Sequence, residues 1–203
     1  GLPQRKARAS RRMKFPAIAL LRKRSFIVFI LAVSLLQSSH ATVSLFGTIH
    51  WREAGISDTV IGALWAEGVI AEILLFAYSG AIVRRFGPIR LMYLAAAAGA
   101  VRWGVLANTT DIAALAAVQW LHAFTFGAAH LAAIHYMLQK VPEQMSATAQ
   151  GLYSGLATGV IMGLTMLAAG GLFETSPDTA FYAMIALSSA GGLAALWLSR
   201  IAP

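Results

Sequence analysis

The side chains in this 203-residue sequence that could do chemistry stand inside apolar runs. Gln37 and His40 lie in the first run, Glu67 and Glu72 in the second, and Arg102 in the third. Gln119, His122, His130 and His135 share the fourth. An ionised side chain near the centre of a bilayer costs ~2.5–3.5 kcal/mol on insertion scales, so each needs a reason to be there. Imidazoles titrate near neutral pH, carboxylates carry protons and a guanidinium holds anions; together they suit binding a small solute and moving a proton. The sequence contains no cysteine, which removes disulfides, thiolate nucleophiles and Cys-ligated zinc. No catalytic residue, cofactor or metal is expected.

Spacing suggests how some of these groups meet. Glu72 and Arg102 fall at similar depths on consecutive antiparallel helices, which predicts a buried ion pair, either a structural clamp or a coupling device. Glu67, five residues and about 140° of helix from Glu72, is the rival partner for Arg102. His122 lies one turn after Gln119 and is read as facing a solute or a proton path. For His130, eight residues on with Phe126 between, a neutral imidazole bonded to a neighbouring helix is an equal reading. His135, beside Tyr136, belongs near the membrane surface. Trp51 and Trp197 fall at run ends and read as interfacial anchors. Trp65, Trp103 and Trp120 lie deeper, as packing or as cavity walls.

The elements that carry these residues must be membrane helices. Hydrophobic residues make up 58% of the chain and charged residues 12%, outside the range of a soluble domain or a disordered one. Six stretches reach the ~20 residues needed to span a bilayer, at 26–49, 59–83, 88–107, 111–138, 146–172 and 179–199. None shows the ten-residue alternation of a membrane β-barrel strand, so an all-α membrane fold is expected. Short polar or turn-forming pieces separate the runs, among them Arg84-Arg85-Phe86-Gly87-Pro88. Residues 1–25 form a basic segment and residues 26–200 a six-helix transmembrane domain. The chain opens on glycine, and its first 25 residues read like an inter-helix loop of a longer protein.

The formal net charge of +8 belongs to that segment: nine of the sixteen Lys and Arg precede residue 25. This is an orienting tail that touches anionic lipid rather than a nucleic-acid groove, since it holds a single aromatic, Phe15. Arg84, Arg85, Arg90, Lys140 and Arg200 fall at the same end of the alternating runs as the tail, while Arg52 alone faces the other side. The positive-inside rule then predicts six spans with both termini in the cytoplasm of a cell whose inner membrane holds the protein. In the fifth run Gly151, Gly155, Gly159 and Gly163 recur at spacing four. They make a smooth stripe on which another helix can pack closely.

The pattern has a resemblance. Gly80-Ala81-Ile82-Val83-Arg84-Arg85-Phe86-Gly87-Pro88-Ile89-Arg90 resembles the G-x-x-x-D-R-x-G-R loop of the major facilitator superfamily, with Arg84 at the aspartate position. More specific pieces resemble the phenylpropionate permease family, related to the nucleoside–proton symporters. They are Leu36-Gln37 with His40-Ala41, Trp65 with Gly68-Val69 and Ala71-Glu72, Val101-Arg102-Trp103-Gly104, and Gln119 with His122 and His130-Leu131-Ala132-Ala133. Val43 and Ser44 stand where that family commonly has tyrosines. The resemblance implies the carboxy-terminal half of a twelve-helix transporter, a 3+3 inverted repeat. Its first and fourth spans would line the central cavity, giving Gln37, His40, Gln119 and His122 the strongest claim to substrate. The second and fifth would face the amino-terminal six-helix half.

The function expected is therefore half of a secondary transporter moving a small organic acid or nucleoside-like solute with protons by alternating access. The candidate substrate and proton residues are Gln37, His40, Glu72, Arg102, Gln119, His122 and His130. The alternatives are a six-helix accessory protein without transport of its own and an intramembrane metalloenzyme, for which Phe126-x-x-x-His130 lacks the three convergent ligands that zinc requires.

Overall fold

A computed structural model describes residues 16–202. The part of the basic segment at residues 1–15 lies outside the described residues. After a short helix, Pro16–Leu21, six helices are long and apolar enough to cross a membrane: Arg24–Glu53, Asp58–Ala77, Ser79–Asn108, Ile112–Lys140, Glu143–Thr175 and Pro177–Ile201. No strand occurs among the described residues.

Helix starts at the weakly basic end follow local chemistry. The Ser57 hydroxyl accepts from the Val60 amide and the Asp111 carboxylate from the Ala114 amide, while Pro177 opens the sixth span at a position where its missing N–H costs nothing. The break expected within Arg84–Pro88 falls at Gly87, whose φ of 69° favours glycine, ahead of Pro88; helix continues through Arg84, Arg85 and Phe86, and a single turn residue, Tyr78, separates the second and third helices. The first span is interrupted at Ser39-His40. There the Ser39 hydroxyl donates to the Leu36 carbonyl at 2.7 Å and the His40 ring contacts the Gln37 carbonyl at 3.1 Å. Such back-bonding offers the backbone an alternative to the regular helical ladder.

The six spans pack as two apolar layers separated by a polar one. One layer, at the end holding residue 24 and the Gly87 break, contains Phe29, Leu91, Met92, Tyr136 and Leu198. The other contains Trp51, Trp103, Leu115 and Phe181. Trp51 is thus fully buried against Trp65 rather than anchored at an interface; Trp197 is exposed, with the Arg24 guanidinium 4.9 Å over its ring. Between the layers lie Gln37, Ser38, Ser39, His40, Arg102, Gln119, Thr125 and Ser188, all buried. The first span is the most enclosed, with 83% of its most apolar stretch buried, and the fifth the least, at 11%.

Within the described chain, close packing falls at glycines outside the fifth-span stripe. A Cβ added at Gly191 would meet Leu36, at Gly192 Ala96 and at Gly99 Ser188. These glycines let the sixth span press on the first and third. Around Gly151, Gly155 and Gly163 there is no neighbour within 4 Å, and Gly159 meets only a carbonyl of its own helix.

Candidate functional site

The polar layer is organised around Arg102, 1% exposed, projecting from the third span. Its Nη2 donates to Gln119 Oε1 at 2.6 Å, and its Nη1 reaches Thr125 Oγ1 and His122 Nδ1, each at 3.1 Å. A guanidinium can only donate, so His122 Nδ1 is an acceptor and its ring proton sits on Nε2. That nitrogen is 3.3 Å from Glu72 Oε2 on the second span. The direct Glu72–Arg102 ion pair expected from depth is therefore corrected: the two charges are joined through one imidazole. Glu67 takes no part in the cluster. Among the described residues no three His, Asp or Glu side chains converge as metal ligands.

Thr125 carries the network to the first span. Its hydroxyl accepts from Arg102 and lies 3.1 Å from His40 Nε2, while His40 Nδ1 donates to the Gln37 carbonyl at 3.1 Å. The His40 ring packs edge-on to Trp103, whose indole N–H is shared between Ser39 and Ser188 at 3.2 Å each. A second branch joins spans one, four and five. Gln37 Nε2 donates to the Tyr153 hydroxyl, itself 3.4 Å from His130 Nδ1.

Backbone geometry places the rings. Residues Ala123–Ala128 form a π-helical segment, which closes on i→i+5 bonds and so turns through fewer degrees per residue than an α-helix. Residues four apart then come closer to one stripe. His122 stacks on Phe126 at 5.5 Å and Phe126 on His130 at 6.3 Å, making a column that an α-helical wheel would splay by 80°.

Burial divides the sequence-predicted residues in two. Gln37, His40, Arg102 and Gln119 are buried within the bundle. Glu72 and His122, with side chains 18% exposed, and the partly exposed Phe126 and His130 form the accessible edge. Thr125 and Tyr153 were not singled out from sequence: a threonine in an apolar helix carries no distinguishing signal, and Tyr153 stands within the glycine stripe.

Six antiparallel helices around a buried guanidinium make half of a major facilitator fold, in a multi-pass membrane protein. The profile of the MFS_1 like family matches residues 3–183, and the chain belongs to that family. It is 35% identical over 156 residues to the "Probable 3-phenylpropionic acid transporter" of Escherichia coli, covering 77% of this chain and 41% of that protein. It is 29% identical over 180 residues to the "Maltose permease" of Geobacillus stearothermophilus, covering 88% and 45%. An uncharacterized transporter of Bacillus subtilis matches at 21% over 173 residues, covering 85% and 43%. The chain thus spans less than half the length of the curated relatives it matches. No solved structure matches it significantly.

Proposed function

We propose that this chain is the carboxy-terminal half of a proton-coupled secondary transporter for a small organic acid, working by alternating access. The observation that carries this reading is the relay Glu72–His122–Arg102, open at one end and buried at the other. A carboxylate solute is repelled by an ionised Glu72 and attracted to Arg102, so it approaches only once Glu72 is neutral. Proton and anion then bind together, which is the thermodynamic requirement for symport. If His122 also takes a proton, its Nδ1 ceases to accept and the bond to Arg102 breaks, loosening the link between the third and fourth spans. The Phe126 ring offers an aromatic solute a stacking face. The similarity to a 3-phenylpropionic acid transporter supports an aromatic carboxylate as substrate. Gln37, His40 and Gln119 act from behind, holding Thr125, Tyr153 and Arg102 in place.

The test is uptake of labelled 3-phenylpropionate into proteoliposomes holding the full-length gene product. Accumulation should follow an imposed pH gradient, acid outside. Glu72→Gln should abolish accumulation while leaving solute exchange. Accumulation that ignores the gradient, or that survives Glu72→Gln, refutes the coupling role.

The remaining parts follow the same scheme. Residues 1–25 are a cytoplasmic segment, 26–200 the transmembrane domain, and the glycine stripe of the fifth span is where the amino-terminal half packs. Both termini face the cytoplasm of an inner membrane, because the basic residues gather at that end. Single cysteines placed at Arg85 and Thr175 in this Cys-free chain should be labelled by an impermeant maleimide from opposite sides. Labelling of both from outside the cell would overturn the orientation.

A further inference from the structure

Away from the polar layer, a cavity of about 460 Å³ opens between the Gly87 break of the third span and the ends of the fourth and sixth. Phe86, Arg90, Tyr93, Tyr136, Gln139 and Lys140 are among its lining. Its walls are amphiphilic by position. Phe86 and the Tyr93 ring supply apolar surface, and Tyr136, buried and stacked on Phe29 at 4.4 Å, closes the floor. Arg90 and Lys140 supply cationic groups, and neither Arg90 nor Tyr93 makes a hydrogen bond or ion pair with any described residue. Gly87 and Pro88 at the helix break complete one side.

The whole end of the bundle is positive. Arg22, Lys23, Arg24, Arg84, Arg85, Arg90, Lys140 and Arg200 lie there, against a single acidic residue, Glu143. No described residue forms an ion pair with Arg90, and basic residues gathered at span ends are placed by the positive-inside rule where a membrane meets water.

We infer that this cavity binds an anionic phospholipid, its phosphate held by Arg90 and the Tyr93 hydroxyl and its glycerol and upper acyl carbons against Phe86 and Pro88. The chemistry matches on each side of the interface. A basic residue near an anionic membrane surface favours binding there, and Tyr carries an apolar ring and a polar tip suited to the same depth. The volume is that of an ordinary small-molecule site. This inference is independent of the transport reading, since it concerns residues outside the polar layer.

Native mass spectrometry of the full-length gene product in mixed micelles tests it, with phosphatidylglycerol and phosphatidylcholine of identical acyl chains at equal concentration. The protein should retain phosphatidylglycerol in preference to phosphatidylcholine. Arg90→Gln should cut that preference about fivefold, the effect of one basic residue near an anionic surface. Arg84→Gln removes the same charge from the same end but lies outside the cavity, so it should keep the preference. Helix content by circular dichroism confirms that both variants are folded. Equal loss in both variants would mean diffuse attraction to a positive surface and overturns the site. So does unchanged preference in Arg90→Gln. Soluble glycerol phosphate displacing the lipid completely would overturn the lipid as the ligand, and a cavity that retains neither lipid would point to the other half of the protein as its occupant.

Discussion

Replacing Arg102 with methionine is expected to destabilise the helix bundle by ~3 kcal/mol, because several buried acceptors lose their donor at once. Gln119 Oε1 and His122 Nδ1 would both be stranded, and Thr125 would lose one partner. Arg102→Lys should not restore stability. An ammonium keeps the charge but cannot reach Gln119 from one nitrogen and His122 and Thr125 from another, as the planar fork does. Adding Gln119→Leu to Arg102→Met should recover part of the loss, since it removes the most tightly held orphan. Thermal unfolding followed by tryptophan fluorescence reads all three. If the methionine variant unfolds with the parent, or if lysine substitutes fully, the guanidinium is not the organising group. The same measurement separates a relay from a direct pair. Glu72→Gln and Arg102→Met should be coupled while His122 is present and become additive in a His122→Phe background.

The second large effect is steric. Gly191→Leu should prevent the first and sixth spans from closing, since even a Cβ at that position would sit 2.8 Å from Leu36 Cγ and 3.1 Å from the Leu36 backbone nitrogen. Overpacking of this kind costs ~1–3 kcal/mol where neighbours can shift, and more where backbone is the obstacle. Folded yield in the membrane should fall several-fold. Gly155→Leu, by contrast, meets open space and should leave the unfolding of this chain unchanged within ~0.5 kcal/mol. Its effect should appear only as weaker co-purification with the amino-terminal half. A loss of stability in Gly155→Leu equal to that in Gly191→Leu would mean that the fifth span packs inside the chain after all.

Hydropathy and length made the six spans and their alternation legible, since the bilayer fixes both. Depth was legible too: Glu72, Arg102, Gln119 and His122 do lie in one layer. Direction around each helix was not. The Glu72–Arg102 pair was misread because spacing on one helix gives the height of a side chain, while its neighbour is decided by how the helices are rotated and packed. The stacked column His122–Phe126–His130 depends on a π-helical segment that no residue type announces. Glycine spacing leaves the partner open for a related reason. The stripe from Gly151 to Gly163 marks a smooth face but not what lies against it, whereas Gly99 and Gly191 have no periodic signature and are decided by Ser188 and Leu36 far along the chain. Trp51 lies near a helix end but is enclosed by Trp65, a contact between spans that local sequence does not encode.

The network around Arg102 also sets an order of events during synthesis. Arg102 precedes Gln119 by 17 residues, His122 by 20 and Thr125 by 23. At about 5–20 residues per second, the third span is complete for a second or more before the fourth has been made. Through that interval its guanidinium has none of these mature partners, and lateral release into lipid would be opposed by the full cost of a lone cation. The third and fourth spans are therefore expected to leave the insertion channel together, as a hairpin. Ribosome-bound chains halted between the two spans should still be held by the channel, and those extended past Lys140 should be released into the bilayer.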